Sequence, residues 1–121
     1  MKTFQLLVLI FVLSCNLVYA EEAEVLKVKV KRTGDNVYYF DVTVTHKDEG
    51  WNHYANKWDV VAPDGTILGT RTLYHPHVQE QPFTRSLSGV KIPEGVRSVT
   101  IRAHDSVHGY GSKVMTIDLP Q

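Results

Sequence analysis

Two histidine pairs in the sequence have spacings that could bind a metal ion. In LYHPHVQEQPFTRS, His75 and His77 flank a proline, which disfavours the helical conformation at the residue before it. Side chains at i and i+2 share one face in a β-strand, where they could bind one metal, but they diverge in polyproline II geometry. In AHDSVHG, His104 and His108 are four residues apart, a spacing common to metal clips and to hairpin tips. Neither pair alone establishes a metal site.

All six histidines of the chain fall in three segments, 46–56, 74–82 and 104–112, which we expect to be loops at the same end of the fold. We predict that the loops converge and that imidazoles from all three bind Cu(II) or Zn(II), with Cu(II) favoured by the usual affinity order. Binding should weaken below about pH 6.5, where free histidine protonates. The predicted ligands are His53, His75, His77, His104 and His108. We expect His46, at a strand end, to lie outside the ligand set.

Aromatic and charged residues in the same segments form a second candidate set, for direct binding or for orienting the histidines. They are Trp51, Tyr54, Glu80, Arg85, Asp105 and Tyr110. We interpret Glu80 and Arg85 as a structural ion pair. The alternative interpretation is that these two charged residues orient the histidines. The alternative function is a recognition module for a protein, peptide or glycan that binds no metal. No serine lies in a nucleophile-elbow pattern, so the sequence does not indicate an enzyme.

The loops must be held by strands, because apolar residues alternate with polar ones and no helical period is present. Turn signals recur every 8 to 12 residues, which favours a single all-β, immunoglobulin- or fibronectin-III-like antiparallel sandwich; a Greek-key barrel is the alternative. Trp58 is the type of residue that fills such a core from the third strand. The predicted strands are 26–31, 38–45, 57–62, 66–73, 83–87, 96–103 and 114–119, with 88–95 as a loop.

Residues 1–20 are typical of a signal peptide, with Lys2, an apolar run and a small-residue end, which leaves 21–121 as one domain. Cleavage after Ala20 predicts a soluble periplasmic protein. Cleavage before Cys15 is the alternative and predicts a lipoprotein, whose anchor would be the only membrane contact. Lys plus Arg and Asp plus Glu both total 13. This balance argues against nucleic acid and leaves a metal ion or an envelope protein or glycan as partner.

Three segments also resemble a group of small exported bacterial proteins that have an immunoglobulin-like sandwich and no assigned function. They are GWNHYANKWDVVAPDGTILGTR, LYHPHVQEQPFTRSLSGVKIPEG and VRSVTIRAHDSVHGYGS, which together cover roughly residues 50–112. HPHVQEQPFTRS is the most specific part of the resemblance. It implies a fold and a bacterial envelope location, and it implies no mechanism.

Overall fold

A computed structural model describes residues 22–121, which form eight β-strands and no helix. The strands are β1 (Glu24–Gly34), β2 (Val37–Thr45), β3 (Ala55–Val61), β4 (Ile67–Thr72), β5 (Phe83–Lys91), β6 (Ser98–Asp105), β7 (Gly109–Tyr110) and β8 (Met115–Asp118). The predicted signal peptide and Cys15 lie outside the described residues. Within residues 22–121, no helix is long and apolar enough to cross a membrane.

The strands form two antiparallel sheets, which confirms the predicted all-β sandwich. One sheet has the order β1-β2-β5, and the other has the order β4-β3-β6-β7, with β8 paired to the part of β6 that β7 does not reach. In constant-type immunoglobulin domains the sheets hold strands ABED and CFG. Here the fourth strand pairs with the third, so the second sheet is the larger one.

The core lies between the sheets because alternate residues of β2 and β6 point inward. On β2 the buried side chains are Tyr38, Phe40, Val42 and Val44, and β6 contributes three more, Val99, Ile101 and Ala103. Trp58 of β3 is fully buried among them, as the sequence predicted. A tightly packed core holds the strand ends rigidly, and the loops begin from those ends.

Two irregularities account for the main differences between the predicted and observed strands. Leu26 begins the predicted strand 26–31, where it alternates with lysines and would face the core. It is exposed, because the β1–β2 register shifts between Val25 and Lys27, and Val25 is buried instead. The predicted loop 88–95 is wrong in its first half, because β5 continues to Lys91. Gly89 has φ 68° and lies opposite a second register shift, so the strand passes through a bulge rather than ending. The two-residue strand β7 was not predicted.

The first described residues are fixed at the end of the sandwich where β2 ends and β3 begins. Glu24 pairs with Thr45, and the N–H of Val25 donates to the carbonyl oxygen of Lys113 at 3.1 Å. A Cβ added to Gly111 would lie 2.0 Å from the carbonyl oxygen of Ala23, so only glycine permits this approach. The chain therefore enters the domain at the end that carries the histidine loops.

Candidate metal centre

Two residues extend the core faces of opposite sheets and meet at the end of the core. His46 follows β2 and keeps the inward phase of Val42 and Val44, whereas Asp105 ends β6 in phase with Ala103. Both side chains are completely buried. His46 Nε2 and Asp105 Oδ2 are 4.0 Å apart. An imidazole and a carboxylate thus close the core where a sandwich would ordinarily place apolar side chains.

The loop between β2 and β3 adds a third side chain, His53. A local turn fixes this loop: the N–H of His53 donates to the carbonyl oxygen of Gly50, and the N–H of Glu49 donates to that of His53. Gly50 has φ 98°, a conformation that glycine adopts without strain. The turn brings His53 Nε2 to 3.3 Å from Asp105 Oδ1 and sets its ring 4.7 Å from that of His46.

These three residues form a buried group whose ligand atoms, one from each, all lie within 4.8 Å of one another: His46, His53 and Asp105. We call it the buried His–Asp group. Two imidazoles and one carboxylate are a donor set found in zinc sites and in other transition-metal sites. His46 therefore lies in this group, although it was not among the ligands predicted from the sequence.

Each imidazole of the group is oriented by a second carboxylate. His46 Nδ1 lies 2.5 Å from Asp48 Oδ1, and His53 Nδ1 lies 2.7 Å from Glu49 Oε1. An ionised carboxylate only accepts hydrogen bonds, so each Nδ1 carries the proton that it donates. In the neutral imidazole the lone pair is then on Nε2, the atom that faces Asp105. Metal-binding histidines are commonly oriented in this way.

The Asp105 carboxylate is held in its ionised form. Burial raises its pKa, but the N–H groups of His108 and Val107, which donate to Oδ1, and the nearby His46 and His108 together lower that pKa below its ordinary value. The other oxygen, Oδ2, is buried and accepts no hydrogen bond from any described residue. A buried anionic oxygen in this state needs a cation or a donor.

His108, a predicted ligand, lies at the edge of the buried His–Asp group. Its Nδ1 is 3.3 Å from Asp105 Oδ1, and its ring lies 4.9 Å from the ring of His53. Its side chain is partly exposed, unlike that of His46. His108 is therefore placed between the group and solvent.

The predicted pair His75 and His77 lies in a neighbouring loop with a different chemistry. The two rings are 4.8 Å apart, but the Arg85 guanidinium donates to His77 Nε2 at 2.9 Å. That contact uses the lone pair that a metal would need, and it places a cation beside it. Burial and then the Arg85 charge lower the pKa of His77, so its neutral form is favoured. The predicted ion pair is present, with Arg85 Nη2 at 3.0 Å from Glu80 Oε1.

His104 and Tyr110 lie on the outer face of the larger sheet, away from the core side that holds Asp105. His104 Nδ1 contacts Asn56 Oδ1 at 2.7 Å, and burial followed by the nearby Lys57 lowers the pKa of His104. Tyr110 donates its hydroxyl to the buried Asp59 at 2.6 Å. The structure therefore brings His53, His108 and Asp105 together, and it separates them from His75, His77 and His104.

Asp48 connects the buried His–Asp group to the loop that contains His75 and His77. Its Oδ1 also accepts the N–H of Ala55 at 2.9 Å, and its Oδ2 accepts the N–H of His77 at 2.7 Å. Gln81 bridges the same loops, accepting from the N–H of His46 and donating to the carbonyl oxygen of His77. The sequence did not indicate a role for Asp48 or Gln81, and Glu49, considered from the sequence as a partner of Arg85, contacts His53 instead.

Two aromatic members of the second candidate set, exposed Trp51 and half-buried Tyr54, lie at the same loop end. Trp51 and Tyr54 form an edge-to-face pair with ring centroids 5.6 Å apart. The N–H of Tyr54 donates to Ser106 Oγ, and this hydrogen bond connects the loop before β3 to the loop after β6. Trp51 is largely exposed, as is Tyr74 in the loop that contains His75 and His77.

Comparison with known proteins gives one informative match. The chain is 41% identical over 97 residues to a protein of Halomicrobium mukohataei named "Putative lipoprotein", an alignment that covers 80% of this chain and 47% of that protein. The chain thus spans about half the length of this relative. No protein-family model matches the chain. No solved structure matches it either.

Proposed function

We propose that the protein binds one divalent transition metal ion, Zn(II) or Cu(II), through Nε2 of His46, Nε2 of His53 and the carboxylate of Asp105. The observation that carries this proposal is the orientation of the two imidazoles. Each has its Nδ1 on a carboxylate and directs its Nε2 towards the same buried, ionised Asp105. A bound cation would stabilise three acceptors that face one another in a buried site.

The separations between the ligand atoms fit this assignment. Bonds of about 2.0–2.1 Å in tetrahedral geometry place two zinc ligand atoms about 3.4 Å apart. His53 Nε2 and Asp105 Oδ1 are separated by 3.3 Å, and the His46 Nε2 to Asp105 Oδ2 distance is 4.0 Å. All three ligand atoms lie within 4.8 Å of one another, so binding would draw them together by up to about 1.4 Å. The adjacent His108 is placed to supply a fourth ligand.

One other chemical state satisfies the same geometry. If both imidazoles were protonated, their positive charges would pair with the Asp105 carboxylate, and the group would be a buried network of ion pairs. The neutral imidazoles can bind a metal ion, whereas the protonated ones cannot, because imidazolium is not a metal ligand. A metal titration at a pH above the ordinary histidine pKa of about 6.5 therefore separates them.

The test is a competition titration of residues 21–121 with Zn(II) and with Cu(II) at pH 7.5, against a chelator of known affinity. We expect one equivalent to bind to the wild-type protein. Asp105→Asn keeps the shape of the side chain but removes its charge, and it should weaken binding by about 100-fold or more, since even residues that only orient ligands contribute 10–100-fold. Circular dichroism of each variant verifies that it is folded.

The matched control is the double variant His75→Ala/His77→Ala, which removes the same number of imidazoles from the adjacent loop. We expect this variant to retain the wild-type affinity. Binding that survives Asp105→Asn and is lost in the double variant would contradict the proposal and return the site to the HPH segment. The absence of stoichiometric binding would favour the protonated network.

We also propose that the protein is exported and anchored through Cys15. The name of the relative supports lipoprotein processing over cleavage after Ala20. Intact-mass measurement of the protein purified from whole native cells, with membrane and soluble fractions both retained, is the test. An N-terminal diacylated cysteine is expected, and a mature chain that begins at Glu21 would show the soluble periplasmic form instead.

A further inference from the structure

The end of the sandwich that holds the buried His–Asp group also exposes four large apolar side chains. They are Trp51, Tyr74, Val78 and Val107, with exposed fractions of 67%, 74%, 57% and 58%. Single exposed apolar residues are ordinary, but a concentration of them in three adjoining loops indicates a contact surface. The N–H of Ser106 donates to the carbonyl oxygen of Tyr54, which holds the Val107 and Trp51 loops side by side.

The described part of the chain begins at this same end. Both the N–H and the hydroxyl of Ser112 donate to the carboxylate of Glu22, at 3.0 and 3.1 Å, and Ala23 is completely buried. Glu22, the first described residue, is therefore held at the loop end of the sandwich. The last strand, β8, finishes at the other end of the sandwich, because its Asp118 pairs with Ser98 at the start of β6.

The number of residues between Cys15 and Glu22 limits how far the loop end can be from a lipid anchor. Six residues separate the two, so the seven Cα-to-Cα steps reach about 25 Å at most. A strand such as β1, with 11 residues, is itself about 37 Å long. A lipid on Cys15 would keep the loop end near the bilayer and allow the opposite end to point away.

We propose that the loop end docks on the phospholipid surface to which Cys15 is anchored, with Trp51 and Tyr74 at the headgroup level. Tryptophan and tyrosine favour the membrane–water interface, because each has an apolar ring and a polar atom. This inference rests on the proposed lipid anchor and is independent of metal binding.

The test uses the chain from Cys15 to Gln121, in which Cys15 is the single cysteine and Trp51 and Trp58 are the two tryptophans. The thiol is coupled to a maleimide phospholipid in phosphatidylcholine vesicles that contain brominated lipid. Bromine quenches only a tryptophan close to the bilayer, and Trp58 is buried in the core. We expect quenching of the Trp51 emission in the tethered wild-type protein and none in Trp51→Phe.

A tether at the other end is the matched control. In Cys15→Ser/Gln121→Cys the same coupling attaches the end at which β8 finishes, so Trp51 should be quenched several-fold less. Equal quenching from both tethers would overturn the proposal, as would an unchanged accessibility of Trp51 to acrylamide on tethering through Cys15. The latter outcome would favour a protein or glycan partner for this end. A native protein that begins at Glu21 would also overturn it.

Discussion

Replacing Asp48 by asparagine should lower both the stability of the fold and the affinity for metal. The Asp48 carboxylate is buried and accepts from three donors, His46 Nδ1, the N–H of Ala55 and the N–H of His77. Asparagine has the same shape, but one of its two terminal groups donates hydrogen bonds rather than accepting them. If the amide oxygen keeps the contacts with His46 and Ala55, its NH₂ group faces the N–H of His77.

The size of the effect follows from those contacts. A hydrogen bond to a charged group contributes about 1.5–3 kcal/mol, and a buried donor without an acceptor costs about 1–3 kcal/mol. Two bonds become neutral and one is lost, so we expect the free energy of unfolding to fall by about 3 kcal/mol. For a domain of this size that corresponds to a decrease of about 15 °C in Tm. Loss of the group that orients His46 should also weaken metal binding about 10- to 100-fold.

Urea denaturation followed by circular dichroism measures the first effect, and chelator competition measures the second. Asp118→Asn is the control, since Asp118 is exposed on β8 and its replacement should change stability by no more than about 0.5 kcal/mol. A loss below about 1 kcal/mol in Asp48→Asn would refute the role of this carboxylate as the connection between the two loops. A loss of stability with unchanged metal affinity would refute its role in orienting His46.

Three further predictions concern other parts of the fold. Tyr110→Phe removes the donor to buried Asp59 and should cost about 1–3 kcal/mol in urea denaturation, whereas no cost would leave Tyr110 free for a role in recognition. Gly111→Ala places a Cβ against the Ala23 carbonyl oxygen and should lower the free energy of unfolding by about 1–3 kcal/mol. Gly34→Ala is the control, because a Cβ there meets only ordinary contacts, and equal Tm values for the two variants would contradict the prediction. Because the pKa of His77 is lowered on folding, the unfolded chain takes up a proton first. The free energy of unfolding should therefore fall as pH drops from about 6.5 through the folded-state pKa, and His77→Gln should flatten that slope; an unchanged slope would count against it.

The fold could be predicted largely from the sequence, because half-buried strands impose a two-residue period on side chains. The departures occur where a bulge changes that period. At Leu26 an extra residue shifts the phase, so the apolar side chain faces solvent, and at Gly89 a positive φ lets the strand continue through what resembles a loop. Glycine in a strand is compatible with either outcome, so composition alone could not distinguish them.

The sequence indicated which loops lie at one end of the fold, but it did not indicate which of their side chains come together. Strand direction placed all histidine loops at one end, but the path of each loop decides which imidazoles meet. The inward phase of His46 and Asp105 was readable from Val44 and Ala103, and it would have indicated that these two face the core. The separation of His77 could not be predicted, because it depends on the contact of that ring with Arg85.

The most direct measurement of the central claim is anomalous diffraction at the zinc edge from crystals grown with Zn(II) above pH 7. The proposed site predicts one strong peak at about 2.0–2.2 Å from Nε2 of His46, Nε2 of His53 and an oxygen of Asp105. A peak between His75 and His77, or no ordered peak near Asp105 at saturating metal, would contradict it.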